Sequence, residues 1–478
     1  MKEGYIKKNK RKNILLLTDD IRTKSGVAQV GRETVLHTCH KYNWVQLAGA
    51  MEHPELGQIS DISEEYAKES EVSDASVKVY PVNGYGSPDI LRGVIQRENI
   101  DAIFLITDPR YFTWLFQMEA EVRKHVPIIY LNIWDDYPAP AYNQEYYESC
   151  DALFGISKQS KHINEVVLGD KGKNKIFRYI PHGLSDKYFK KVDKDDVELQ
   201  DFKKHLYNGE EPEFSLLYNS RNIRRKQIPN TILAWKLFCK EIGREKAEKC
   251  KLVLHTDTRD PNGTDILAIL DYLSGWEDTP DNIIIDENKY PTVHMGYLYN
   301  CVDGIIQLSN AEGWGLTLTE ALLTGTPIIA NVTGGMQDQM RFIDEDGNWY
   351  TNNNEVPSNH RGTYKEHGSW AFPVFSRLQT MVGSVPTPYI FEDQIAYEDA
   401  AEQIMNLYKL STEEREKRGL EGQKWALSDE AGFTSRQMGE RIIEGVDELF
   451  ATWEPREQFE FLADTDYEKR VLKHKLLY

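Results

Sequence analysis

Two glutamates, Glu312 and Glu320, stand with seven residues between them in the run N-A-E-G-W-G-L-T-L-T-E-A-L-L-T-G-T-P of residues 310–327. The run follows the apolar stretch 304–308, passes Gly313 and Gly315, turns helical near Leu316 and stops at Gly325, with Pro327 opening the next strand. Glycines at such a turn let backbone N–H groups approach an anion, and the positive end of a helix dipole faces the same point. Carboxylates accept paired hydroxyls. Glu312 precedes the helix and Glu320 lies about a turn and a half inside it, so the pair borders one molecule at two depths. A ligand with a sugar, a diphosphate and a ribose has hydroxyls at both ends and an anion between them. Either glutamate alone equally suits a helix cap or a solvated position.

The elements that must hold this segment follow from the pattern around it. Apolar runs at 14–18, 102–106, 128–133 and 152–156 are spaced by helix-like stretches such as 28–39, and a second set recurs at 215–218, 252–255, 283–286, 304–308 and 327–331. Strands spaced by helices predict βαβ units and parallel sheets. Two domains are expected, 1–190 and 191–450, joined through the polar stretch 186–212. The acidic, serine-rich stretch 61–76 reads as a surface insertion, and 344–388 as a long structured loop. Helical patterns resume at 397–409 and 434–450.

Composition narrows the function classes. The chain of 478 residues carries a net charge of −19, but residues 1–190 hold 25 Lys and Arg against 26 Asp and Glu, while the rest hold 32 against 50. The one basic run, Lys7, Lys8, Lys10, Arg11 and Lys12, reads as a solvated or frayed terminus, so no concentrated nucleic-acid face is expected. No run is long and apolar enough for a bilayer span. Five scattered cysteines without a C-x-x-C pair argue against a disulfide framework or zinc site and point to the cytoplasm.

The Glu312 to Glu320 segment with G-W-G inside it, followed by Gly325-Thr326-Pro327 and Gly334-Gly335, resembles the retaining GT-B glycosyltransferases of family 4. Asn219-Ser220-Arg221-Asn222-Ile223-Arg224-Arg225-Lys226 resembles that family's G-R-x-x-x-x-K loop. Ile180-Pro181-His182-Gly183-Leu184 resembles its I-P-N-G-V segment, and 298–303 its L-Y-x-x-A-D element. Similarity covers most of 14–340. The resemblance implies a GT-B fold, with two doubly wound Rossmann-like α/β domains facing each other across a cleft. It implies that the last helices return to the first domain, which the tail at about 451–478 completes.

For the site, the resemblance puts Glu312 on the transferred sugar and Glu320 on the ribose. Backbone amides at Gly315, Leu316 and Thr317, beside Gly313, hold the diphosphate. Arg221 and Lys226 become its cations, with Arg224 or Arg225 as substitutes, since charge-assisted bonds to phosphate are strong. Ser25-Gly26-Val27-Ala28 resembles the glycine loop that faces the donor phosphates. The family's histidine after the strand at 128–133 is absent, and the sequence reads Asn132-Ile133-Trp134-Asp135-Asp136. Trp134 is expected to stack there, and Asp135 or Asp136 to meet sugar or acceptor hydroxyls, with helix capping as their alternative role. Nucleobase contacts are expected near Ile285, Asp286 and Glu287.

The implied activity is retaining, metal-independent transfer from a nucleotide-diphosphate sugar, a UDP-sugar in first place, with no permanently bound cofactor. A glycan or small saccharide hydroxyl is the expected acceptor. The alternatives are a hydroxylated DNA base, or an epimerase or nucleotide-sugar binding protein of the same fold. The aromatic stretch 370–389 either shapes the acceptor site or packs against the cleft.

Overall fold

A computed structural model describes residues 4–349 and 364–456. The first sheet has eight strands in the order Ser60–Asp61, Val77–Pro81, Tyr42–Gly49, Lys12–Asp19, Ala102–Ile106, Ile128–Asn132, Ala152–Gly155, Ile176–Tyr179. All pair in parallel except the short edge Ser60–Asp61. The second sheet has six parallel strands in the order Ile283–Asp286, Cys250–His255, Phe214–Asn219, Gly304–Gln307, Ile328–Asn331, Ala371–Val374. Central strands such as Ala102–Ile106 and Ile128–Asn132 are buried throughout. That is what a parallel sheet covered by helices on both faces requires, and why these strands read as unbroken apolar runs.

Each sheet reverses its strand order once. In the first the reversal falls between Lys12–Asp19 and Ala102–Ile106, and in the second between Phe214–Asn219 and Gly304–Gln307. Ligands of open α/β sheets sit beyond the carboxyl ends of the strands at such a point. The Arg221 to Lys226 loop leaves one of the two second-sheet strands and the Glu312 segment leaves the other.

Several expectations need correction. Residues 61–76 are built into the domain: Ser63–Ser70 is a helix, and Tyr66, Val72 and Ala75 are buried. Within 344–388, of which 350–363 lie outside the described residues, Ala371–Val374 is the sixth strand of the second sheet, and an antiparallel hairpin, Leu378–Ser384 with Thr387–Gln394, follows it. Polar residues hid the helix and the hairpin, as they hid Tyr42–Gly49, where Gln46 is buried because it bonds the backbone of Asp19 and Ile21, while Ala371–Val374 is a short apolar strand interrupted by Pro373. Of the basic run near the amino end, Lys7, Lys8, Lys10 and Lys12 are exposed as expected, but Arg11 is buried against Asp74 at 2.5 Å, and Tyr5 bonds the same carboxylate at 2.7 Å.

The helix Ser435–Thr452 returns to the first domain and packs on the helix Gly26–Thr38, with Tyr42 bonding Asp447 at 2.7 Å. Residues 457–478 of the expected tail lie outside the described residues. The hairpin also spans the domains: Phe391 N donates to Tyr137 O (2.6 Å), Tyr142 Oη to Tyr389 O (2.9 Å), and Asp393 N to Asn310 O (2.9 Å). Among the described residues no helix is long and apolar enough to cross a membrane.

Candidate functional site

The Glu312 loop owes its shape to close backbone approach. Gly315 sits at φ +85°, a left-handed conformation that favours glycine, and immediately precedes the helix Leu316–Leu323. No side chain caps that helix, so the amides of Leu316 and Thr317 keep their donor capacity. Behind the loop, Gln339 donates to the Trp314 carbonyl at 2.6 Å and accepts from Thr319, which itself accepts from Trp314. Gly334 and Gly335 lie so near the Glu312 and Gly313 carbonyls that a side chain at either would collide with backbone, and Gly335 N bonds Glu312 O at 2.9 Å.

The basic loop meets this segment directly. Asn310 N donates to Arg225 O at 2.8 Å. Lys226 Nζ bonds Glu312 Oε2, and Arg225 Nη1 reaches the same oxygen at 3.2 Å while also bonding the Ala311 carbonyl. Burial would raise the Glu312 pKa, but the Lys226 and Arg225 charges outweigh it and hold the group at about 2. Lys226 is pulled below the ordinary lysine value by burial, against the attraction of Glu312. Arg221 stands apart: it bonds Asp260 at 2.7 Å and its side chain is 62% exposed.

Glu320 has a different setting. It is half-buried, accepts from Tyr299 Oη and, at 3.5 Å, from Asn219 Nδ2, and desolvation lifts its pKa to about 7. His255 feels the Glu320 charge and bonds Asp286 at 2.9 Å. Asn219, His255 and Tyr299 receive no role from the sequence reading. Asn219 and His255 close adjacent strands in register, and a polar residue closing a buried strand at its carboxyl end is the signal that could have found them.

The first domain supplies the opposite wall. Gly26 opens its helix behind the Ser25 cap, and a Cβ there would lie 3.6 Å from Leu316 Cδ1. Gly313 runs against the Ile133 carbonyl, 2.8 Å from where its Cβ would stand. Asp135 and Asp136 both act electrostatically on Arg225. Asp136 is buried, and burial, then the Asp135 charge, push its pKa well above the ordinary value. Trp134 is buried too, and donates from its ring to the Asp136 carbonyl at 2.8 Å. A cavity of about 650 Å³ in the crevice is lined by Gly26, Leu316 and Glu320 among others. The structure thus brings Gly26, Leu316 and Glu320 to one cavity and joins Arg225 and Lys226 to Glu312, with Gly313, Gly315 and Thr317 in the segment between Glu312 and Glu320 and Asp135 and Asp136 acting on Arg225, and it leaves Arg221 at the surface.

No family model and no curated sequence matches the chain. Solved structures do. Sucrose-phosphate synthase from Thermosynechococcus elongatus is 14% identical with a TM-score of 0.63, covering 92% of this chain and 100% of its own. An Escherichia coli trehalose-6-phosphate protein bound with UDP-2-fluoro glucose is 12% identical with a TM-score of 0.62, covering 93% and 100%. HepE of Anabaena, in complex with UDP and glucose, is 13% identical with a TM-score of 0.59, covering 92% and 100%. The two parallel-sheet domains and these neighbours show the GT-B fold.

Proposed function

We propose that the chain is a retaining, metal-independent glycosyltransferase that moves a sugar from a nucleotide-diphosphate sugar, a UDP-sugar in first place, to a saccharide hydroxyl. The observation that carries this reading is the pairing of two cations, the half-buried Arg225 and the more deeply set Lys226, with Glu312 in the loop before an uncapped helix amino end. Glu320 borders the same crevice one helix turn further on. UDP or a UDP-sugar in the neighbours HepE and the Escherichia coli protein favours uridine.

In this reading Arg225, Lys226 and the amides of Leu316 and Thr317 neutralise the diphosphate, with Gly26 closing over it from the first domain. Glu320 takes the ribose hydroxyls and Glu312 those of the transferred sugar. As the bond from the anomeric carbon to the phosphate oxygen breaks, the acceptor hydroxyl attacks from the same face. Its proton passes to the departing phosphate oxygen, so the protein chiefly positions reactants and stabilises charge. Asp135 and Asp136 meet sugar or acceptor hydroxyls, and a protonated Asp136 can donate as well as accept. The domain division is taken at 190, with the helix Ser435–Thr452 crossing back to complete the first domain. Five buried free thiols fit a reducing compartment such as the cytoplasm.

The test is a panel of UDP-, GDP- and ADP-sugars read by melting temperature and by transfer to saccharides. A binder in the micromolar range raises the melting temperature by mass action. Glu320→Ala and Lys226→Ala should each abolish that rise. Variants that respond like the parent would misplace the donor site.

A further inference from the structure

The cations assigned above to the diphosphate already have an anion. Glu312, its side chain 12% exposed, is bonded to Lys226 and Arg225, and those two charges hold it ionised where desolvation would otherwise protonate it. A diphosphate needs the same two groups. It cannot share them with a carboxylate at contact distance, because like charges repel strongly in a site shielded from water. Glu312 therefore has to leave its partners when the nucleotide arrives. Its carbonyl is fixed by Gly335 N, so the side chain must do the moving, and Gly315, whose Cβ would stand 3.5 Å from Glu312 Cγ, leaves space beside it.

Separating a buried carboxylate from its cations is costly unless hydrogen-bond donors replace them. An intact donor brings donors, the hydroxyls of its sugar. A spent nucleoside diphosphate brings none to Glu312, since in this reading its ribose hydroxyls lie at Glu320. The geometry points to Glu312 as an internal counter-anion that makes the site select the intact donor over its own nucleoside diphosphate product, and that retakes Lys226 and Arg225 once the sugar has left. This rests on the donor-site reading above and adds to it a discrimination between substrate and product that sugar contact by Glu312 does not by itself require.

The experiment compares UDP, UDP-glucose and inorganic pyrophosphate by calorimetry on the full chain and on Glu312→Gln, which keeps the shape and removes the charge. UDP and pyrophosphate should bind the variant at least about tenfold more tightly than the parent, and UDP-glucose should gain much less. The parent should also bind UDP more tightly in saturating free glucose, by the same factor that UDP tightens glucose binding, as linkage requires. In Glu312→Gln that coupling should vanish. If UDP-glucose binds the parent in a Lys226-dependent way but Glu312→Gln leaves UDP affinity unchanged or weaker, the counter-anion role is wrong and the donor site stands. Absence of binding by both UDP and UDP-glucose overturns the donor reading with it. Should Glu312→Gln fail to fold, the glucose coupling in the parent decides, and no coupling rejects the proposal.

Discussion

Glu312 lies just before a short helix and Glu320 within it, and both are half-buried, yet one is held at about 2 and the other lifted to about 7. Burial pushes both upward, and the difference lies in the neighbours. Glu312 has a lysine and an arginine; Glu320 has a phenol and an amide, which bond a carboxylate without cancelling its charge. The lesson is that the two ends of the crevice are built for different partners. The Glu312 end is rich in cations and suits a diphosphate, while the Glu320 end has no paired cation in contact and suits neutral hydroxyls.

Breaking the ionic end should cost most. Lys226→Ala leaves Glu312 buried with Arg225 alone, and removing one partner of a buried pair costs about 3 kcal/mol. Urea unfolding at pH 7 should show a loss of that order. The double variant Lys226→Met with Glu312→Gln should recover most of it, because a pair removed together leaves no orphan charge. A Lys226→Ala protein as stable as the parent would mean that Glu312 is not held by this lysine.

The neutral end is tested by pH, and the sign is opposite at the two glutamates. Glu320 is raised from the ordinary 4.5 to about 7. Between those values the unfolded chain has lost the proton that the folded chain keeps, so Glu320 lowers stability as pH rises through the interval, by about 3 kcal/mol in all. Glu312, depressed to about 2, adds stability above 4.5 that is lost as pH falls toward 2. Glu320→Gln should therefore gain on the parent steadily from pH 4.5 to 7 and hold its lead at pH 8. Denaturant unfolding at matched pH values measures this, and a constant difference across the range would show that Glu320 is not buried as described.

The same contrast explains what the sequence disclosed. Glu312, Gly315 and Glu320 were legible because loop, helix and spacing lie in one continuous run, and the central strands because burial on both faces leaves unbroken apolar stretches. Asn219 and His255 were not, since their roles depend on strand ends meeting across the sheet, nor was Tyr299, which reaches Glu320 from the helix Thr292–Asn300. The hairpin Leu378–Gln394 escaped for a related reason. Its strands are largely half-exposed, so their pattern lacks the apolar continuity of the core, and its contacts with Tyr137, Tyr142 and Asn310 join segments far apart in sequence.

Arg221 gives the smallest expected effect and the finest test of the comparison. The family resemblance puts it level with Lys226 as a diphosphate cation, but the fold bonds it to Asp260 with most of its side chain in water. Exposed ion pairs contribute little because solvent and salt screen them. Arg221→Ala should change the affinity for a nucleotide sugar by less than about threefold, where Arg225→Ala, which removes a half-buried cation bonded to Glu312, costs far more. Titration calorimetry at 0.05 and 0.5 M salt separates the cases. A large, salt-dependent loss on Arg221→Ala would mean that this guanidinium leaves Asp260 to join the diphosphate when donor binds, and that the cationic end of the crevice is completed by the ligand itself.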